Sequence, residues 1–146
     1  MNTSRGEIWI ADHRRSSDKP VAVFIHGAGG SHLSFPAALR QLPSVAPILV
    51  DLPGHGASAG PGRGSIADYA LDIEALLDAL SLDSVIALGH SMGGAIAQCL
   101  ALEHAARIDA VILAGTGARL PVNPALITGI VEDPRRTISS IVRWMW

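Results

Sequence analysis

Ser84-Val85-Ile86-Ala87-Leu88-Gly89-His90-Ser91-Met92-Gly93-Gly94 is a short apolar run that ends in glycine, histidine and serine and passes into small residues. The apolar part is continuous rather than alternating, and it is too short for a helix of ordinary length. Both features predict a strand buried on the two faces of a parallel sheet. Residues 92–104 are rich in Ala and Gly, with Ile96, Cys99 and Leu100 as the larger apolar groups. They predict a close-packed, mostly buried helix. Gly89-His90-Ser91-Met92-Gly93 therefore fits G-x-S-x-G on a strand-to-helix turn. A serine on so sharp a turn is expected to expose its hydroxyl at the carboxyl edge of the sheet, with glycines on either side letting neighbouring backbone approach. The helix N-terminus adds N–H groups and a positive dipole end, suited to a developing oxyanion. The same pattern also suits a glycine-rich turn whose serine only caps the helix.

Three further apolar runs flank this one. Val21–His26 is followed by Gly27-Ala28-Gly29-Gly30, Ala46–Leu52 by Pro53-Gly54-His55-Gly56, and Asp109–Gly115 comes later. Between them, Ser65–Leu80 places Tyr69, Ile73, Leu76, Leu77 and Leu80 at helical spacing, with Ser65 as N-cap. Its acids, Asp68, Asp72, Glu74 and Asp78, fall largely elsewhere on the helix. Ser34–Leu42 carries a weaker helical pattern, with Pro36 in the first turn. Glu7–Ala11 reads as an edge strand, and residues 54–64 as a loop. Asp133-Pro134 reads as an N-cap and first position of a last helix, with Ile138, Ile141, Val142 and Met145 on one face. Strands alternating with helices predict an α/β fold, a doubly wound, mostly parallel sheet with right-handed crossovers.

The composition narrows the classes. The chain has 146 residues and net charge −2, with 49% hydrophobic and 16% charged residues. That excludes a disordered tail and predicts one globular domain. The near-neutral balance gives no electrostatic reason to expect nucleic acid or a membrane surface as partner. The single cysteine, Cys99, rules out an intrachain disulfide and a Cys-based zinc site. The first residues lack the apolar core of a signal peptide, and no apolar run is long enough to span a membrane. A soluble, cytoplasmic protein is expected. A dinucleotide loop is disfavoured because Gly27-Ala28-Gly29 is followed by Gly30, Ser31 and His32, without the third glycine of G-x-G-x-x-G. No phosphate-loop motif is present.

Taken together, His26-Gly27-Ala28-Gly29-Gly30, Asp51-Leu52-Pro53-Gly54-His55-Gly56-Ala57-Ser58 and Gly89-His90-Ser91-Met92-Gly93-Gly94 resemble the α/β-hydrolase superfamily in order and spacing. The resemblance covers roughly residues 7–120. It implies hydrolysis of an ester-like bond in a small-molecule substrate through an acyl-enzyme. By the resemblance, Ser91 is expected to be the nucleophile and the backbone N–H groups of Ala28 and Met92 the oxyanion donors, with no metal or organic cofactor needed. Residues 1–120 are then the N-terminal part of the hydrolase core and 121–146 the start of a helical cap. His26 is expected to shape its loop, Asp51 and His55 to bond local backbone, His90 to border the pocket, and Cys99 to fill space.

The resemblance also implies an acid and a histidine after the nucleophile. Only His104 of the six histidines follows Ser91. If residues 92–104 are one helix, it lies roughly 20 Å away. Asp109 begins a strand and so falls at the wrong end of the sheet, and Asp133 is expected to be a cap. The chain is therefore expected to lack the C-terminal strands that carry both groups, leaving Asp109–Gly115 as an unpaired apolar edge. A second chain or copy would complete the sheet and triad. The alternative is a non-catalytic fragment acting as a binding module.

Overall fold

The computed structural model describes residues 1–14, 18–119 and 121–145. Seven strands are formed: β1 (Asn2–Thr3), β2 (Gly6–Glu7), β3 (Trp9–Asp12), β4 (Val21–Ile25), β5 (Ala46–Asp51), β6 (Val85–His90) and β7 (Ile108–Ala114). The helices are α1 (Ile66–Ala79), α2 (Met92–Glu103), α3 (Pro124–Glu132) and α4 (Pro134–Met145). β1 and β2 pair as a small hairpin, and the other five strands form one sheet in the order β3-β5-β4-β6-β7. β3 runs antiparallel to β5, and every other pair is parallel.

The continuous apolar runs are the central strands, because a strand covered on both sides has no solvent face to alternate toward. Val23, Phe24, Ile25, Ile48, Leu49 and Val50 are fully buried. One face carries Val23, Ile25, Ile48, Val50, Val85 and Ala87 against α1 and α2. The other carries Ala22, Phe24 and Leu49 against Phe35, Leu39 and Leu42. Phe24 and Phe35 meet edge-on at 5.4 Å.

The helix expected over Ser34–Leu42 is replaced by two short 3-10 turns, His32–Ser34 and Ala37–Gln41. Ser31 caps the first, and Ser34 closes a capping box with it. Pro36 then forces Phe35 into extended backbone, φ −94° and ψ 133°. The helical path is interrupted there and restarts only at Ala37. The expected edge strand is also divided, into β2 and β3, with Ile8 buried between them.

α1 follows its predicted face except at Asp72, whose side chain is fully buried. Arg5 Nε donates to it at 2.8 Å and Arg63 Nε at 2.7 Å. Three residues after Tyr69, Asp72 lies on the inward stripe of the helix, and the two guanidinium groups make that burial tolerable. This cluster ties the β1–β2 hairpin and the loop at 54–64 to α1.

After β7 the chain forms α3, which the sequence pattern did not suggest, and then α4. Asn123 caps α3, and the Asp133 side chain accepts from Arg136 N–H at 3.1 Å as the cap of α4. Thr137 packs against Gly129 where the two helices meet. Ile127, Ile130, Val131, Ile138 and Val142 remain exposed. The side chain of Met145, placed on the apolar face of the last helix by its spacing, lies outside the described residues. No helix among the described residues is long and apolar enough to cross a membrane.

Candidate active site

β4 and β6 are neighbours, but their chains leave the carboxyl edge in opposite directions. β4 leads to β5 on one side, and β6 leads to β7 on the other. This reversal makes the ends of β4 and β6 a switch point, the place where open α/β sheets bind ligands. Its two walls are the loop 27–30 and the junction of β6 with α2.

Ser91 occupies that junction with φ 53° and ψ −118°, a left-handed conformation that disfavours side chains. Its N–H donates to the Ala114 carbonyl of β7 at 3.0 Å, and its own carbonyl accepts from Gly94 N–H at 2.9 Å to open α2. Its hydroxyl makes no capping hydrogen bond, whereas Ser65 and Ser31 cap their helical segments in the ordinary way. The helix-capping alternative therefore does not describe Ser91.

Glycines bring the two walls together. A Cβ at Gly93 would run into the Ile25 carbonyl and lie 2.7 Å from the His26 carbonyl oxygen, so the first turn of α2 presses on the end of β4. A Cβ at Gly27 would lie 3.0 Å from the Ser91 Cβ, so the 27–30 loop lies directly against the serine. The Gly27 carbonyl accepts twice, from Gly30 N–H at 3.1 Å and from His26 Nδ1 at 2.7 Å. Because the peptide is planar and trans, fixing that carbonyl also fixes the opposite direction of the Ala28 N–H.

His26 is fully buried, and its Nε2 accepts from Leu52 N–H at 3.1 Å. Both ring nitrogens are thus used, in the Nδ1–H tautomer. Burial holds its pKa below the ordinary 6.5. It braces the loops after β4 and β5, as the sequence reading expects, and has no free nitrogen for proton transfer.

Asp51 sits at the end of β5, also fully buried. Burial alone would raise its pKa. Ala57 N–H at 2.8 Å, His32 N–H at 2.6 Å and the His32 ring hold it below the ordinary value instead. His32 Nδ1 lies 2.9 Å from the carboxylate. The sequence reading missed this carboxylate–imidazole pair, because nothing in the spacing of residues 32 and 51 shows that the two loops meet. The pair does not serve Ser91. β5 is two strand spacings from β6, about 10 Å, and the His32 ring stacks on Trp9 of β3, one strand farther out, at 4.1 Å.

Three other histidines have defined surroundings. His55 Nδ1 bonds the Pro53 carbonyl at 3.1 Å. His104 pairs with Glu74 at 2.9 Å beyond the far end of α2. His90 is exposed beside Ser91, its ring between Gly27 and Gly115. Asp109 is at the amino end of β7, away from the switch point. No hydrogen bond to the Ser91 hydroxyl is formed among the described residues. Cys99 packs half-buried against the core, and burial pushes its thiol pKa up. Among the described residues, no three metal-binding side chains converge.

The chain matches the profile of the α/β-hydrolase fold over residues 20–137, and it belongs to that family. It is 37% identical over 98 residues to the magnesium-chelatase 30 kDa subunit of Rhodobacter capsulatus, covering 65% of this chain and 34% of that protein. Among solved structures it resembles a hydrolase from Pseudomonas aeruginosa, with TM-score 0.77 and 28% identity, over 92% of this chain and 52% of that one. Est816, described as an N-acyl homoserine lactone degrading enzyme, superposes with TM-score 0.75 and 26% identity over 93% of this chain and 53% of that one. The enol-lactonase of Burkholderia xenovorans shares the fold, with TM-score 0.83 at 24% identity, over 99% of this chain and 57% of that one. The chain thus spans about half the length of these structures.

Proposed function

We propose that the chain carries the nucleophile and oxyanion hole of a serine hydrolase acting on carboxylic esters or lactones. Ser91 Oγ adds to the substrate carbonyl, and its proton passes to a base. The Ala28 and Met92 N–H groups hold the resulting oxyanion. The alcohol leaves, and water then releases the acid from the acyl-serine. The observation that carries this reading is the conformation of Ser91 at the switch point: a strained junction with a hydroxyl that caps nothing. The likeness to Est816, described as an N-acyl homoserine lactone degrading enzyme, supports an ester-like substrate. The base and its acid are supplied by a segment outside these 146 residues, since His26, His32, His55 and His104 are engaged elsewhere, His13 lies at the opposite end of the sheet, and His90 adjoins the serine in the chain.

The experiment is covalent capture. The chain, alone and coexpressed with a C-terminal segment of a longer relative bearing an acid and a histidine, is exposed to a fluorophosphonate and mapped by peptide mass. The adduct is expected on Ser91 in the coexpressed form and is absent from Ser91→Ala. Labelling that persists unchanged in Ser91→Ala overturns the assignment. The second reading, a non-catalytic binding module, rests on the missing base and predicts no Ser91 adduct in either form.

A further inference from the structure

At the end of the sheet opposite Ser91, three basic side chains, His13, Lys19 and Arg40, line a cavity of about 250 Å³ walled by Leu42, Val45 and Pro47. Topology brings them together. β3 runs antiparallel to β5, its one neighbour in the sheet, so it ends at the edge where β4 and β5 begin. His13 N–H donates to the Pro47 carbonyl at 2.9 Å, and Ala46 N–H to the Pro20 carbonyl at 2.9 Å. The length of β4, roughly 16 Å at the usual rise per residue, separates this cavity from the switch point at Ser91.

Two of the three side chains present buried polar atoms with no protein partner among the described residues: Arg40 Nε and His13 Nε2. A guanidinium Nε can only donate, and a buried donor left without an acceptor is unfavourable. Among the described residues, no acidic side chain lines the cavity. The carboxylate next in the chain to His13 is that of Asp12, and Arg14 holds it with both Nε at 3.0 Å and Nη2 at 2.6 Å. Asp18 is exposed and does not line the cavity. Three basic side chains therefore line one small space with no acidic side chain lining it among the described residues.

We propose that this cavity binds a phosphate group, whether as the free ion or on a phosphorylated small molecule. Its oxygens accept from the Arg40 guanidinium, the His13 ring and the Lys19 ammonium, the charge-assisted pattern that anions favour. The cavity is smaller than the ~300–1,000 Å³ of sites for larger ligands, so it suits a headgroup rather than an extended molecule. The inference is independent of the role of Ser91.

The test is a titration of the full chain with inorganic phosphate at constant ionic strength, followed by amide chemical shifts. Saturable shifts confined to residues 12–14, 19–21 and 39–47 are expected. Arg40→Gln is expected to weaken the affinity roughly tenfold or more, about 1.4 kcal/mol. Lys19→Gln, at an exposed position that does not threaten folding, is expected to weaken it several-fold. Glycerol phosphate distinguishes the sources: tighter binding than inorganic phosphate points to a phosphorylated small molecule, and weaker binding to the free ion. Shifts that do not saturate, that are unchanged in Lys19→Gln, or that acetate reproduces at equal affinity overturn the proposal.

Discussion

Ser91 holds a backbone conformation that glycine tolerates better than serine, with φ 53°. Strain of this kind is of order 1–3 kcal/mol, and a glycine gives back about 0.5–1 kcal/mol in unfolded-state entropy. Ser91→Gly is therefore expected to stabilise the chain by about 1 kcal/mol in urea unfolding while removing the candidate nucleophile; a loss of stability would show that the junction is unstrained. His26 gives a pH signature. Its folded pKa lies below the 6.5 of the unfolded chain, so the unfolded state binds the extra proton first. Its contribution is full above pH 6.5 and is lost as pH falls below that value toward the folded pKa. The slope has an upper bound of about 1.4 kcal/mol per pH unit. Asp51 acts in a lower window: its contribution is full above its ordinary 3.8 and is lost as pH falls toward its lower folded value. Unfolding free energies measured from pH 7 to 5 should show a shallower slope in His26→Asn than in the parent chain. Equal slopes would mean that His26 is not a neutral, buried brace.

Among the elements, the tie on α1 is the most consequential feature outside the site. Asp72 is buried beneath two arginines from distant parts of the chain. Removing a buried partner strands the others, so Asp72→Ala is expected to cost about 3 kcal/mol in denaturant unfolding. Arg5→Ala should cost less, because Arg63 remains. An Asp72→Ala variant as stable as the parent would mean that the cluster is held by the packing around it. β7 presents a different liability: it is the sheet's last strand, and Ile112 and Leu113 are 49% and 45% exposed. Ile112→Lys is expected to slow concentration-dependent light scattering at little cost in stability, since a charge on an open edge discourages strand pairing. The strands were legible in the sequence because a central strand buried on both faces leaves an unbroken apolar run. The elbow was legible because glycine must flank it. The partners of Asp72 were not, because Arg5 lies 67 residues away and helical spacing records only which face a residue takes. The Asp51–His32 pair was hidden for the same reason. The helix at 34–42 was misread because Pro36 suits a first helical turn, but here it acts on Phe35 before it and breaks the path.

At the scale of the molecule, the five-stranded sheet places a strained serine, a fixed peptide at Gly27–Ala28 and a helix N-terminus at one switch point, and engages His26, His32, His55 and His104 elsewhere. The chain spans 52–57% of the three solved structures named above, and the open edge of β7 lies next to the strand that carries the elbow. In the proposed enzyme, a complementing segment covers that edge and delivers the acid and the base. Loss of the base together with the group that orients it typically lowers turnover by on the order of 10⁴- to 10⁶-fold, with the oxyanion hole leaving a small residue of catalysis. The most direct measurement is hydrolysis of a p-nitrophenyl ester by the purified 146-residue chain, its mass confirmed, alongside the same chain coexpressed with the complementing segment and alongside Ser91→Ala of each. The account predicts near-background turnover from the chain alone and Ser91-dependent turnover from the complemented form. Robust, Ser91-dependent turnover from the chain alone would contradict it, because a histidine within these residues, or from a second copy, would then be acting as the base.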